Sequence, residues 1–426
     1  MPVLRAGRRG VRHRYTAVTA ATVGLALALG ACTSPSGTTG ASSSTASATQ
    51  AGNVSPSTTP SPTAAAPAAP VVTVAGGPKV GYGKPVKISV EGGQFSSVTV
   101  QTAGGAALDG EIGLDGISWV SQEPPKPATK YVVQAVVKDA VGTNQDAAAN
   151  FSVTAVPADK KLTYTVTPAA GSTVGVAQPI VVRFLSPVTE RAAVEKKLVV
   201  DAKAPDGTAV AGRWHWLNAQ QVDWRPKEFW TPGTKVDLQM KLAGVKASKT
   251  RYGRKDYSQK FTIGSSRVLK VDLKKLTAKL YHGDKLVATW PTGGGKPGLA
   301  TYSGTYVVLD KAEVVEMDSC SAGITCDKKD PDYYSDPEYW ATRLTRSGTF
   351  VHAADWDPLI GRANVSHGCI HLSGKNAKAF FNQAQPGDAV IVTNSGRGPQ
   401  ERINTQDPGL YDWNVSWKAW VKGSAL

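Results

Sequence analysis

The sequence predicts a mainly β protein: two β-sandwich modules, then a further β-rich domain, then a short helical tail. Three observations carry this. Gly and Pro number 43 and 27 among 426 residues, and long helical runs of Leu, Ala, Glu and Lys are scarce. From Val71 onward, apolar and polar residues alternate in short stretches punctuated by Gly and Pro, the period of half-buried strands. One segment repeats: Val80-Gly81-Tyr82-Gly83-Lys84-Pro85 opens an alternating strand, and Val174-Gly175-Val176-Ala177-Gln178-Pro179 opens another.

The chain begins with Arg5, Arg8, Arg9, Arg12 and Arg14, followed by a short apolar run over 17–29 and then Leu29-Gly30-Ala31-Cys32. The run is too short for a comfortable membrane span. A basic start, an apolar stretch and small residues directly before a Cys resemble a bacterial lipoprotein signal, which implies lipid on Cys32. The formal net charge is +15; without residues 1–31, which hold five Arg and no acid, 43 basic residues against 33 acidic leave +10. Nucleic acid, anionic lipid or an anionic wall polymer could answer that charge. Export removes nucleic acid from the set and leaves the membrane and wall as partners.

Residues 33–70 are almost wholly Ser, Thr, Ala, Pro and Gly with no charged residue, so they cannot bury enough apolar surface to offset ordering. They are expected to be a disordered tether spanning ~35 Å as a flexible coil. Trp119 and Trp224 each precede a further alternating strand by twelve residues, at Tyr131 and Val236. This spacing fits two immunoglobulin-like sandwiches without Cys. Trp214, Trp216, Trp224 and Trp230 suit core packing better than a sugar-binding face. The boundaries that follow are 1–31 for the signal, 32–70 for the tether, 71–156 and 157–265 for the modules, 266–395 for the third domain and 396–426 for the tail.

In the third domain, Val268-Leu269-Lys270-Val271-Asp272-Leu273 and Lys279-Leu280-Tyr281 read as strands, and His282-Gly283-Asp284-Lys285 as a hairpin turn. Gly293-Gly294-Gly295 is not followed by the Gly-Lys-Ser or Gly-Lys-Thr of a phosphate loop, since Pro297 comes after Lys296; it lets the backbone turn sharply or lie close to substrate. In the tail, Trp413, Trp417 and Trp420 share one face of a helix and are expected to dock on the third domain.

The chemistry lies between 350 and 373. Three of six His are here, with Cys369: Phe350-Val351-His352-Ala353-Ala354-Asp355-Trp356, then Asn364-Val365-Ser366-His367-Gly368-Cys369-Ile370-His371. A thiol near its free pKa needs a neighbouring base, and His352, after a strand-like stretch, can supply one. The Ala353 carbonyl is the candidate to fix the His352 tautomer. Gly368 frees the backbone to aim its own amide and that of Cys369 at a developing oxyanion. His367 is expected to brace the loop. Cys320 and Cys326, six apart in a polar stretch over 317–339 that reads as a surface loop, are expected to form a disulfide, leaving Cys369 as a free thiol.

Ser366-His367-Gly368-Cys369 with the upstream His352 resembles the signature of L,D-transpeptidases of the YkuD type. Residues 301–308, Met317-Asp318-Ser319, Tyr334, Trp340-Ala341-Thr342 and Asp412-Trp413-Asn414 extend the likeness to the actinobacterial, two-module members. The resemblance implies a stem tetrapeptide of peptidoglycan as donor, a Cys369 thioester with loss of D-Ala, a 3→3 cross-link, acylation by carbapenems and no cofactor. Ser366, His367, Gly368, Cys369, His352 and Ala353 are the implied catalytic group; Met317, Tyr334, Trp356, His371 and Tyr302 are the implied substrate-binding group. Two positions depart from the family: Ala353 stands where Ser is frequent, and His371 where Asn or Arg is usual. A histidine there is expected to carry a pH-dependent charge.

Three other readings share these residues. His367, Cys369 and His371 alternate and could hold zinc with His352. The sandwiches could make this a wall-binding lipoprotein without catalysis. A cysteine peptidase or amidase would use the same pair of residues.

Overall fold

The computed structural model describes residues 68–398 and 408–426; the signal, most of the tether and Cys32 lie outside the described residues. In the first module, one four-stranded sheet orders Val71–Val74, Lys87–Glu91, Ser118–Ser121 and Gly110–Ile112. The other orders Lys79–Val80, Asn144–Val153, Lys130–Asp139 and Gly93–Thr102. Strand Lys130–Asp139 shows how the pattern becomes a core: Tyr131, Val133, Ala135 and Val137 fall on one face, are buried, and meet Trp119 from the facing sheet.

The second module repeats the plan with Ile180–Phe184 and Gln221–Pro226 central to one sheet and Lys235–Met240 and Tyr257–Ile263 central to the other. Trp214, Trp216, Trp224 and Trp230 are all buried in its core, so none presents a sugar-stacking face.

Residues 267–393 form two further sheets. Arg267–Asp272 lies at the centre of a five-stranded sheet, antiparallel to Thr277–His282 and parallel to Ala389–Thr393. The second sheet orders Asp310–Asp318, Ser335–Arg343, Phe350–Ala353 and Ile370–Leu372. Helix Gly374–Gln383 buries Ala377, Phe380 and Phe381, spaced for one face, and Pro386 follows its end. Between them Leu269, Val271, Tyr306, Val351, Ile370, Leu372 and Val390 form a single core.

The 317–339 stretch is less irregular than its composition predicts. Met317 pairs with Asp336 and Val314 with Tyr339, so the hairpin extends into it and leaves only 319–334 outside the strands. The first strand has no buried residue, and the start of the second, Ser335–Pro337, is exposed, which is why no apolar period marked them. The Cys320–Cys326 disulfide closes the first part of the remaining loop, with Gly323 at φ +69° in the turn.

The second module and the third domain meet backbone to backbone. The Gly175 amide donates to the Pro386 carbonyl and the Ala177 amide to that of Gly387, both at 2.8 Å. A side chain on Gly175 would stand 2.2 Å from the Asp388 nitrogen, so only Gly permits this approach.

The tail departs from expectation. It forms two helices, Pro408–Asn414 and Trp417–Lys422, and packs into the junction rather than on the third domain alone. Asn414 bonds the Thr305 backbone, but the Arg225 guanidinium of the second module lies over Trp413, Trp417 and Trp420 at 4.7, 5.3 and 4.5 Å. The break at Val415-Ser416 turns the indoles around this cation, which the assumption of one continuous helix could not show.

Buried beneath the tail, Asp412 lies against Asp223 and neither of its oxygens meets a donor. Burial pushes the Asp223 carboxyl up to about 7, and burial together with the Asp223 charge raises Asp412 well above the carboxylate range. The pair thus holds a proton that the unfolded chain releases near pH 4. Stability from this site is present below that pH and is lost as pH rises through 7. Asp412→Asn keeps the shape and donates an N–H to Asp223. Its Tm should exceed that of the unsubstituted chain at pH 8 by ~2 °C or more and fall to equality or below at pH 4, as differential scanning calorimetry would record.

Candidate active site

The parallel pairing of Phe350–Ala353 with Ile370–Leu372 sets His352 opposite His371 and brings residues 366–369 to the sheet's edge. A cavity of about 530 Å³ opens there, lined by Met317, Tyr334, Glu338, His352, Trp356, His367, Cys369 and His371 among others. Cys369 is partly exposed, and its thiol donates to the Gly348 carbonyl at 3.5 Å.

His352 is buried, 3% exposed. Its Nδ1 faces two acceptors, the Ala353 carbonyl at 2.9 Å and Glu338 Oε2 at 3.1 Å. A carbonyl only accepts, so Nδ1 carries the proton and Nε2 is left for the thiol. Burial works against charge on this ring, but hydrogen bonds and charge from Cys369 and Glu338 outweigh it and raise its pKa to about 10.

His371 differs from expectation. Burial, then the neighbouring His352, lowers it to about 4 despite the 2.8 Å bond from Nδ1 to Asp357. It stays neutral across the working range, so its charge does not vary near neutral pH. Its ring lies 4.9 Å from His352 and 5.1 Å from Trp356.

Ser366 and His367 hold the loop. Ser366 Oγ donates to the Cys369 carbonyl at 2.7 Å and accepts from the Gly368 amide at 3.1 Å. That bond engages the Gly368 amide expected at the oxyanion; the Cys369 amide has no partner among the described residues. His367 Nε2 meets Asp332 at 3.3 Å and its ring lies against Tyr334. Asp332 also pairs with Lys296, whose bond lowers its carboxyl, tying loop 319–334 to the segment that carries Cys369.

The three Gly lie against this loop. Gly293 exchanges backbone bonds with His371, and the Gly294 carbonyl accepts from Ser366 at 3.0 Å. Thr301 Oγ donates to the Gly368 carbonyl at 3.0 Å. Gly368 itself sits at φ +125°, with its nearest neighbour for an added Cβ at 3.7 Å, so an alanine there meets strain rather than a clash. Gly368→Ala should cost ~1–3 kcal/mol in urea unfolding and slow alkylation of Cys369, because the loop must leave this conformation.

Tyr302 does not line the cavity. It belongs to the core, with its ring against Arg397 at 4.0 Å, because the chain carries it inward beside Tyr306. Conversely, Glu338, Asp332, Lys296 and Asp357 went unnoticed: the first three lie outside the 350–373 segment and arrive by strand pairing or loop closure, while Asp357, inside it, meets His371 across a turn. Among the described residues no group of three or more His, Cys, Asp or Glu side chains is arranged to hold a metal.

The family model for the L,D-transpeptidase catalytic domain, YkuD, matches residues 266–392, and that for the bacterial Ig domain matches 45–246. L,D-transpeptidase 2 of Mycobacterium tuberculosis is 32% identical over 345 residues, 80% of this chain and 81% of the relative. L,D-transpeptidase 5 of the same species is 31% identical over 353 residues, 80% and 73% respectively. A solved structure of L,D-transpeptidase 3 from Mycobacterium tuberculosis, in complex with a faropenem-derived adduct, is 32% identical and covers 55% of this chain and 98% of its own, with a TM-score of 0.45. Sequence likeness over four fifths of both chains, with the catalytic-domain match falling on the cavity-bearing sheets, shows that this chain belongs to the L,D-transpeptidase family.

Proposed function

We propose that the chain joins peptidoglycan stems by 3→3 cross-links through a thioester on Cys369. The observation that carries this is the committed Nδ1 of buried His352 beside a thiol that opens into the cavity. Cys369 Sγ gives its proton to His352 Nε2, and the thiolate attacks the carbonyl before the terminal D-Ala of a tetrapeptide donor. The imidazolium returns the proton to the departing D-Ala amine. The side-chain amine of a second stem's diamino acid then attacks the thioester, gives its proton to His352, and the thiolate leaves.

The Cys369 amide donates to the developing oxyanion in this reading, which its lack of a partner among the described residues supports. Tyr334, pushed up to about 12 chiefly by burial, keeps its phenolic proton as a further donor to the cavity. Carbapenems, on this reading, open their lactam on the same thiol. Lipid on Cys32 and the tether would hold the enzyme on the outer face of the membrane, within reach of the wall. The test is to incubate the full chain with a disaccharide-tetrapeptide and follow free D-Ala together with the mass of the Cys369 peptide. D-Ala release with an adduct on that peptide supports the reading; release without Cys369, or none, contradicts it.

A further inference from the structure

We infer that Glu338 is a positioning residue for the base, making Cys369, His352 and Glu338 a catalytic triad rather than a pair served by a backbone carbonyl alone. The inference rests on the reading of Cys369 as nucleophile. Glu338 comes from strand Ser335–Arg343, which pairs with the strand bearing His352. It is 8% exposed and lines the cavity. Its two oxygens divide their work: Oε2 faces His352 Nδ1 at 3.1 Å, and Oε1 accepts from Trp356 Nε1 at 3.2 Å. The indole bond fixes the carboxylate's orientation, so the oxygen that meets the imidazole is held in place.

A carbonyl is sufficient to select the Nδ1–H tautomer, but it brings no charge. A buried imidazolium without a counter-charge is costly, and burial alone would favour the neutral ring and the neutral thiol. The groups around this ring are Cys369, Glu338 and neutral His371, with Asp357 on the far side of His371 and Tyr334 and Asp336 along the cavity wall. Of the carboxylates, Glu338 makes the direct contact with the ring. It therefore favours the state in which the proton has moved from Sγ to Nε2. The raised affinity of His352 for its proton agrees with this arrangement.

The test reads the thiolate itself, independently of the transfer reaction. Iodoacetamide alkylation of the purified full chain is followed at the Cys369 peptide from pH 5 to 10 for the unsubstituted chain, Glu338→Gln and Glu338→Asp. The glutamine variant should react ~10-fold more slowly at pH 7, the equivalent of one pKa unit of lost pairing, and match the unsubstituted chain at pH 10, where hydroxide generates the thiolate. The aspartate variant should recover part of the loss at pH 7. Equal rates at pH 7, or a deficit of the same size at every pH with no recovery by aspartate, would overturn the inference. If Cys369 is not the nucleophile of the enzyme, transfer survives Cys369→Ala whatever the alkylation profile shows.

Discussion

Cys369→Ala should abolish transfer, a loss of ~10⁴-fold or more, while the protein folds and unfolds nearly as before. The thiol is partly exposed and donates one long bond to the Gly348 carbonyl. Its removal deletes a single heavy atom, worth ~1 kcal/mol or less in burial, together with its share of the pairing that raises His352. The loop that carries it is held by Ser366, Thr301 and the Gly293–294 backbone, none of which involves the sulfur. Activity and stability should therefore separate at pH 10.5, where the His352 pairing no longer contributes: urea midpoints coincide there, while D-Ala release at pH 7 disappears. A variant that still transfers would remove Cys369 from the mechanism.

His352→Ala should slow acylation at pH 7 by ~10²–10⁴-fold, the range of a lost general base. The deficit should shrink toward pH 10 as solvent hydroxide makes the thiolate. The same residue links stability to pH. Its pKa is about 10 in the folded protein against 6.5 for the free side chain, so the ion-pair contribution is full below 6.5 and is lost as pH rises through 10. The stability difference between the unsubstituted chain and His352→Ala should narrow over that interval, measured by urea unfolding at pH 6 and pH 10.5. A difference independent of pH would mean that His352 contributes through packing alone.

The strands of the sandwiches were legible because each buries one face, and alternation such as Tyr131, Val133, Ala135 and Val137 records that directly. The cluster of His352, His367, Cys369 and His371 around one cavity was legible because these residues lie within twenty positions, so the chain itself keeps them near. The acids were not. Glu338 reaches His352 through antiparallel pairing, Asp332 reaches His367 through a loop, and Asp357 reaches His371 across a turn. Nothing in their local sequence distinguishes them from solvated charges. Tyr302 failed for a related reason: likeness placed it near the site, but its backbone direction turned the ring into the core. The tail failed at Val415-Ser416, where helical periodicity was carried through a break that sends Trp420 onto the second module.

Product analysis tests the central claim most directly. The full chain is incubated with a disaccharide-tetrapeptide whose third residue carries a free side-chain amine, and the products are weighed and fragmented. The account predicts a dimer with the mass of two donors less one D-Ala, its new amide joining the third residue of one stem to the side-chain amine of the third residue of the other, and no dimer with Cys369→Ala. A disaccharide-tripeptide and free D-Ala as sole products would show that water is the acceptor and would contradict it.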